Sequence, residues 1–287
     1  MEVTTVAKDI LSYLDQIGRG EKVEYNPAII DEFGKKCGEV IKQALNRGLQ
    51  DETKLRFSNI GQPKRKLWYR IHGHKGEALP GSVILKFMYG HLVEELALLF
   101  ATLSGHKVTD QQKEVTLDDD VKGHMDCKID GVVVDVKSAS PYGFKKFKDG
   151  TLHYDDAFGY IPQLTAYETA EGTEGSGFLA VDKVSGNICF HQPEDKDKPN
   201  AYELLMEAQA LYDMEEPPER CYETKIDKLG NEELDVGCSY CNHKFDCWKD
   251  ANNGRGLRIF QYSRKRVYLT EVNNQPKVLE VFHFEQG

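Results

Sequence analysis

The chain has 287 residues, 40% of them hydrophobic and 29% charged, with a net charge of −10. That balance allows one elaborated domain or two small ones and excludes a disordered or fibrous polymer. The longest apolar runs fall far short of the ~20 residues that cross a bilayer, so no membrane span is expected. The stretch MEVTTVAKDILSYLDQIG lacks the basic head and apolar core of a secretory signal, which makes a cytoplasmic location the expectation.

Helical periodicity covers residues 5–17, then restarts at Asn26-Pro27 and continues through Ile29, Ile30, Phe33, Val40, Ile41 and Leu45. Asn at an N-cap and Pro at the first helical position mark that start. Next comes a basic run, Lys64, Arg65, Lys66, Arg70, His72, His74 and Lys75, interleaved with Trp68 and Tyr69. Basic and aromatic residues so mixed can meet phosphates and stacked bases, although a solvated charged face has the same composition. Ser82 is placed to cap a third helix carrying Val83, Ile84, Phe87, Leu92, Val93, Leu96, Leu99 and Phe100, ending near Gly105.

From residue 113 the period changes to that of strands, at 113–117, 122–129 and 132–137. Asp130-Gly131 between the last two is a two-residue hairpin signal. A second basic-aromatic run, Phe144, Lys145, Lys146, Phe147 and Lys148, falls in the loop that follows. A helix with Tyr160, Leu164 and Tyr167, strands at 177–182 and 187–191 joined near Ser185-Gly186, and a helix over 201–214 complete the pattern. The expected fold class is α/β, with a central mixed β-sheet flanked by helices. After Pro217-Pro218 the cysteines cluster, and residues 257–284 alternate like an antiparallel meander. The expected division is an N-terminal helical region over 1–80, a core over 81–216, a cysteine segment over 217–253 and a C-terminal β-unit over 254–287, packed as one compact domain.

Two carboxylates and a lysine stand out. Asp135 and Lys137 are two apart on a strand and therefore share a face. With Asp130 and Gly131 as the turn, residues whose numbers sum to 261 oppose one another, which sets Asp126 beside Asp135. Opposed carboxylates repel, so the pair needs a cation. Mg²⁺ or Mn²⁺ suits these oxygen donors, and Lys137 could orient a water or stabilise developing charge. Solvent-facing hairpin acids balanced by lysines are the plain alternative. His124 could ligate the metal, buttress the site or be a satisfied structural histidine.

Four ordered pieces, Gly90-x-x-x-Glu94, Gly123-His124-x-Asp126, Asp135-x-Lys137 and Gln163-x-x-x-Tyr167, resemble the PD-(D/E)xK nuclease superfamily over most of the chain. Within it the similarity is to the RecB-like branch, which includes CRISPR-associated iron-sulfur exonucleases and phage exonucleases. The resemblance implies a restriction-endonuclease-like core. It also implies a metal site of Glu94, Asp126 and Asp135, with Lys137 catalytic and Glu94 acting directly or through water. Glu95 competes with Glu94, but neighbours on a helix point ~100° apart, and the motif spacing selects Glu94. Gln163 and Tyr167 occupy consecutive turns and are expected to contact DNA, with Arg65, Trp68, Tyr69 and Lys145 lining its path.

Cys238-x-x-Cys241-x5-Cys247, with Cys221 upstream, has metal-site spacing. Four thiolates can hold zinc or an iron-sulfur cluster, and spacing alone leans to zinc. The resemblance implies a [4Fe–4S] cluster instead. The family's fourth cysteine often lies before the core near an aromatic-basic segment, where this chain has none. Cys221 is therefore the expected fourth ligand, with Cys37 an outside candidate, while Cys127 and Cys189 fall in predicted strands as core residues.

The resulting expectation is a divalent-metal-dependent DNA exonuclease acting on ends or single strands, in recombination, replication or repair and phage-like in its motifs. A nucleic-acid-binding or assembly subunit without cleavage, and an endonuclease with the same core, are the alternatives. Multimeric relatives imply self-association or a replication or recombination partner, though no self-association surface is visible in the sequence.

Overall fold

The computed structural model describes residues 1–46, 53–117, 121–263 and 265–282. Helices occupy Val6–Gly18 (α1), Pro27–Leu45 (α2), Phe57–Ile60 (α3), Lys64–Ile71 (α4), Gly81–Leu103 (α5), Pro141–Lys148 (α6), Tyr160–Glu171 (α7) and Ala201–Ala210 (α8). Strands are Val108–Thr109 (β1), Lys113–Thr116 (β2), Lys122–Met125 (β3), Cys127–Ile129 (β4), Val132–Ala139 (β5), Ser176–Asp182 (β6) and Ile188–His191 (β7). Five more follow, Lys225–Ile226 (β8), Glu232–Glu233 (β9), Arg258–Gln261 (β10), Arg266–Glu271 (β11) and Leu279–Val281 (β12). The packing divides the chain into two units, Met1–Gln62 with Pro80–Gln209, and Pro63–Leu79 with Ala210–Gly287.

The first unit is built on a mixed sheet in the order β1-β4-β5-β6-β7, in which only β5 and β6 run parallel. A parallel pair needs a crossover, and α6 and α7 supply it. Because β5 and β6 carry long apolar stretches, they sit at the centre of the sheet. Val134, Val136 and Leu179 pack with Val6, Ala7 and Ile10 of α1 and with Ala97, Leu98 and Ala101 of α5. Phe178 meets Phe147 of α6 and Tyr160 of α7 at ring-centre distances of 5.3 and 6.5 Å. The sheet is thus flanked by helices, the expected α/β arrangement.

The β4–β5 hairpin has the expected register, with Cys127 opposite Val134, Lys128 opposite Val133 and Ile129 opposite Val132. Its turn residues Asp130 and Gly131 both have positive φ, 51° and 90°, the geometry that suits a tight hairpin. Asp130 is anchored as well as turned. Its carboxylate accepts the Lys107 backbone N–H at 2.9 Å and meets His106 Nδ1 at 2.7 Å, while His106 Nε2 lies 3.2 Å from Asp9 on α1. The His106 side chain is fully buried between those two carboxylates.

Several local expectations change. The expected strand over 122–129 is two strands, because β3 pairs with β2 in a separate ribbon before β4 enters the main sheet. Gly123 permits that ribbon to sit close, since a Cβ there would lie 2.8 Å from Phe57 and from Tyr167. Pro80, not Ser82, caps α5. The helix expected over 201–214 ends at Ala210 and tightens into a 3₁₀ turn, Leu211–Asp213. The basic-aromatic loop after β5 is the helix α6; Ser140 caps it by accepting the Gly143 N–H, and Pro141 occupies its first turn.

In the second unit all pairings are antiparallel, in the order β12-β10-β11-β9-β8. This is not the simple meander expected from residue 257: β9 occupies the far edge of β11, so β12 returns to the free edge of β10. Residues 283 and 284 of the expected alternation lie outside the described residues. The proposed boundary near residue 80 also shifts, because α4 buries Leu67, Trp68, Tyr69 and Ile71 within this unit. Trp68 Nε1 donates to the Met214 carbonyl at 2.9 Å, which fastens α4 to the residues after α8. Among the described residues no helix is long and apolar enough to cross a membrane.

The anchored turn makes a stability prediction. Asp130→Ala leaves buried His106 and the Lys107 N–H short of an acceptor and should lower unfolding free energy by about 2 kcal/mol in urea titration, with Asp130→Asn losing less. An unchanged midpoint for the alanine variant would show that the anchor contributes nothing.

Candidate active site

Strand β5 carries Asp135 and Lys137 on one face, and the register of its hairpin brings Asp126 alongside. Asp126 sits between β3 and β4, where the chain leaves one ribbon and joins the main sheet. Its Oδ2 accepts the Val136 backbone N–H at 2.7 Å, so the carboxylate is tied to β5 itself. Glu94 comes from α5, at the head of the buried stripe Glu94, Ala97, Leu98 and Ala101, whose spacing is that of one helix face. Gly90, one turn earlier, allows close approach: a Cβ there would stand 3.3 Å from Ser138 of β5.

Charge is concentrated here away from water. Asp135 is 1% exposed and Glu94 8%. The Lys137 ammonium lies 2.5 Å from Asp135 Oδ2, while the buried Oδ1 of Asp135 has no partner. Burial first, then the neighbouring Glu94 and Asp135, push the Asp126 carboxyl well above the usual carboxylate range; Lys137 and the Val136 N–H oppose them. Burial likewise raises Asp135, with Lys137 pulling the other way. For Lys137, burial works against the charge, but Asp135 and Asp126 outweigh it and hold the ammonium above its ordinary range.

Three neighbours that sequence reasoning did not single out complete the arrangement. Gln112 donates from Nε2 to Glu94 Oε1 at 2.9 Å, and its backbone N–H donates to the Asp126 carbonyl at 3.1 Å, so one residue ties both acids. It adopts φ 54°, in a turn that no local motif marks. Tyr160 places its ring 4.6 Å from the Lys137 ammonium, a cation–π contact. Asp156 accepts the N–H groups of Tyr160 and Ile161 at 2.9 and 2.8 Å and thereby caps α7. The Asp155-Asp156-Ala-Phe-Gly-Tyr160 run contained that signal, an acid just ahead of a helix start.

Glu95 faces elsewhere, into the field of Lys36 and Glu32 on α2. His124 is 59% exposed with Nε2 3.8 Å from Glu114. Strand alternation turns it away from the buried Gly123 and Met125 beside it. Tyr167 does not lie open for DNA: it is 3% exposed, stacks near Phe57, and donates its hydroxyl to the His124 carbonyl at 2.8 Å. Gln163 in turn donates to the Tyr167 hydroxyl at 3.2 Å, so these two residues brace β3 against α7.

In the second unit, Trp68 and Tyr69 are buried rather than presented as a stacking surface. Arg65 donates to Cys247 Sγ at 3.2 Å and to the Pro217 and Pro218 carbonyls. Lys145, on α6 of the first unit, is exposed and 3.3 Å from Asp149. Cys127 is buried in the core and Cys189 is partly buried. Cys37 belongs to the first unit, on α2. The Cys238 thiol is pushed up to about 12, chiefly by burial and then by Cys247, Cys241 and Cys221. The four cysteines therefore share one electrostatic neighbourhood.

Among the described residues, no three His, Cys, Asp or Glu side chains converge tightly enough to enclose a metal ion by themselves. A magnesium-like ion does not need such a cage, since one or two carboxylates, water and substrate phosphates complete its octahedron. The buried Oδ1 of Asp135, which has no partner, and the hard donors beside it fit that kind of ion. Soft thiols flanked by Arg65, Lys66 and Arg220 fit zinc or an iron-sulfur centre in donor chemistry.

No family model matches the chain, and no curated protein matches it. Among solved structures it is similar to an alkaline exonuclease from Laribacter hongkongensis, at 12% identity and a TM-score of 0.40 over 57% of this chain and 88% of that one. The same exonuclease in complex with dAMP gives 12% and 0.39 over the same shares. A phage-related exonuclease from Haemophilus somnus 129PT gives 15% and 0.41 over 56% of this chain and 93% of that one.

The buried ion pair can be tested apart from activity. Lys137→Met strands Asp135 without its cation and should destabilise the fold by about 3 kcal/mol, while the double change Asp135→Asn with Lys137→Met should recover much of the loss. Equal stability of the single and double variants in denaturant titration would show that the two groups do not depend on each other.

Proposed function

We propose that the chain is a divalent-metal-dependent deoxyribonuclease that hydrolyses phosphodiester bonds from DNA ends or in single strands. The observation that carries this is the gathering of Glu94, Asp126 and Asp135, with Glu94 and Asp135 buried and Asp126 partly so, where Lys137 pairs with Asp135 Oδ2 and leaves Asp135 Oδ1 without a partner. Three acids gathered in a largely buried site against one ammonium are costly unless further positive charge arrives. Asp126 and Asp135 would hold Mg²⁺ or Mn²⁺, with Glu94 contributing directly or through water. When bound, such an ion polarises the phosphoryl group and lowers the pKa of the attacking water.

The chain's own residues divide the remaining work. Lys137 keeps its proton and carries a fixed positive charge against the negative charge that develops on the phosphate. Asp135 and Tyr160 hold its ammonium from two sides. Gln112 orients Glu94, and the Val136 N–H fixes Asp126, so the acids need little rearrangement when substrate binds. The resemblance of these motifs to the RecB-like branch favours exonuclease action in DNA recombination, replication or repair.

The carboxy-terminal unit would hold its second centre through Cys221, Cys238, Cys241 and Cys247, with a structural role. Burial raises the Cys247 thiol, and Arg65 and Arg220 beside it oppose that rise. A [4Fe–4S] cluster is the proposed occupant and zinc the competing one.

Linear and single-stranded DNA should be degraded with Mg²⁺ or Mn²⁺, and Asp135→Ala or Lys137→Ala should cut the rate by about 10³-fold. Wild-type rates in either variant would refute the assignment. Cleavage of covalently closed circles would identify an endonuclease, and binding that survives EDTA with no product under any metal would identify a binding subunit. Separately, Cys241→Ser should lower the melting temperature by roughly 5 °C or more before it lowers activity. The visible absorption spectrum of anaerobically purified protein distinguishes iron-sulfur from zinc.

A further inference from the structure

The segment between β5 and α7 shows a large apolar ring to solvent within one ring of the catalytic lysine. Phe158 is 66% exposed. One side of it stacks on Tyr160, with ring centres 5.4 Å apart and planes inclined by 24°. Tyr160 in turn lies against the Lys137 ammonium at 4.6 Å. A phenylalanine so exposed gains little from folding alone, since a good part of its apolar area stays in water.

The backbone that carries Phe158 is tightly determined. The Gly159 N–H donates to the Asp156 carbonyl at 3.1 Å, closing a turn, and the Asp156 carboxylate accepts the next two N–H groups. Gly159 has φ 72°, and a Cβ there would come within 2.5 Å of the Gly61 carbonyl oxygen, so only glycine fits. Phe158 is therefore held out on a braced turn. The preceding helix α6 carries the exposed Lys145 and Lys148, and its Lys146 lies 5.0 Å from the exposed Tyr142 ring and pairs with Asp155, three residues before Phe158. An exposed aromatic face with lysines alongside is the chemistry that binds unpaired bases and their phosphates.

We propose that Phe158 is a stacking platform for the unpaired terminal base of a single-stranded DNA end, presented by the 156–161 turn beside the Lys137 site. This rests on the nuclease reading of that site and specifies its substrate as an end with at least one unpaired base. The stack Phe158–Tyr160 continues into the Lys137 contact, so a base seated on Phe158 brings its strand to the acids. A fully paired end keeps its terminal base stacked on its neighbour and cannot use the platform without fraying.

The test uses the full chain carrying Asp135→Asn, so that binding is read without cleavage. The probe is a single-stranded oligonucleotide with 2-aminopurine as its terminal base, whose fluorescence is quenched by stacking. Phe158→Ala should abolish the quenching and weaken binding about tenfold, Phe158→Leu should do nearly the same despite its apolar bulk, and Phe158→Trp should retain both. An abasic terminal residue should weaken the Asp135→Asn protein by the same factor, and combining it with Phe158→Ala should weaken binding no further. Quenching and affinity unchanged in Phe158→Ala, or leucine equal to phenylalanine, would overturn the proposal. Binding of blunt duplex ends as tightly as single strands would also overturn it. Loss of cleavage in otherwise wild-type protein, with the quenching intact, would count against the nuclease reading alone.

Discussion

Asp130 occupies a left-handed backbone position while its carboxylate is held by the Lys107 N–H and by His106, which reaches Asp9 on α1. The site depends on this anchored turn. The β4–β5 register sets Asp126 alongside Asp135, and side chains alternate faces along a strand. A slip of one residue would move Asp135 and Lys137 to the face where Val134 and Val136 meet α1 and α5. Two acids and an ammonium would then stand among apolar side chains, at a cost of many kcal/mol. Apolar burial on one face and charge on the other thus enforce the same register.

The charged face is costly in its own way. Loss of solvation, with Glu94 nearby, raises the proton affinity of Asp126 and Asp135, and fixed partners hold the groups in place: Val136 N–H for Asp126, Gln112 for Glu94, Tyr160 for Lys137. These partners come from three separate places in the chain, a strand, a turn before a ribbon and the start of a helix. Their convergence is what makes the site preorganised, and it concentrates unmet charge where an ion and a phosphate could meet it.

The carboxy-terminal unit is organised differently. Its small antiparallel sheet and the helix α4 bury Trp68, Tyr69 and Leu234, and its cysteines sit beside Arg65, Lys66 and Arg220. Trp68, Tyr69 and Arg65 of the aromatic-basic segment are taken up by this packing, while Lys64, His72, His74 and Lys75 stay exposed. After β5 in the first unit, Tyr142, Tyr154 and Phe158 stand open, Phe158 stacked on Tyr160 beside Lys137.

Asp126, Asp135 and Lys137 were legible from the sequence because a two-residue turn and a strand's period of two are local rules that convert spacing directly into geometry. The long helices and the central strands were legible for the same reason, as was the fact that only one of Glu94 and Glu95 faces the sheet, Glu94 being chosen by the motif spacing. The roles of Tyr167, Trp68 and Arg65 were not, since an aromatic or an arginine has the same local pattern whether its far end meets solvent or a carbonyl. Nor was Gln112, which reaches Glu94 across a turn with no sequence signature. Local chain geometry, then, determined which acids share a face; only tertiary packing decided which neighbours hold them, because burial and hydrogen-bond partners are set by residues far apart in the chain.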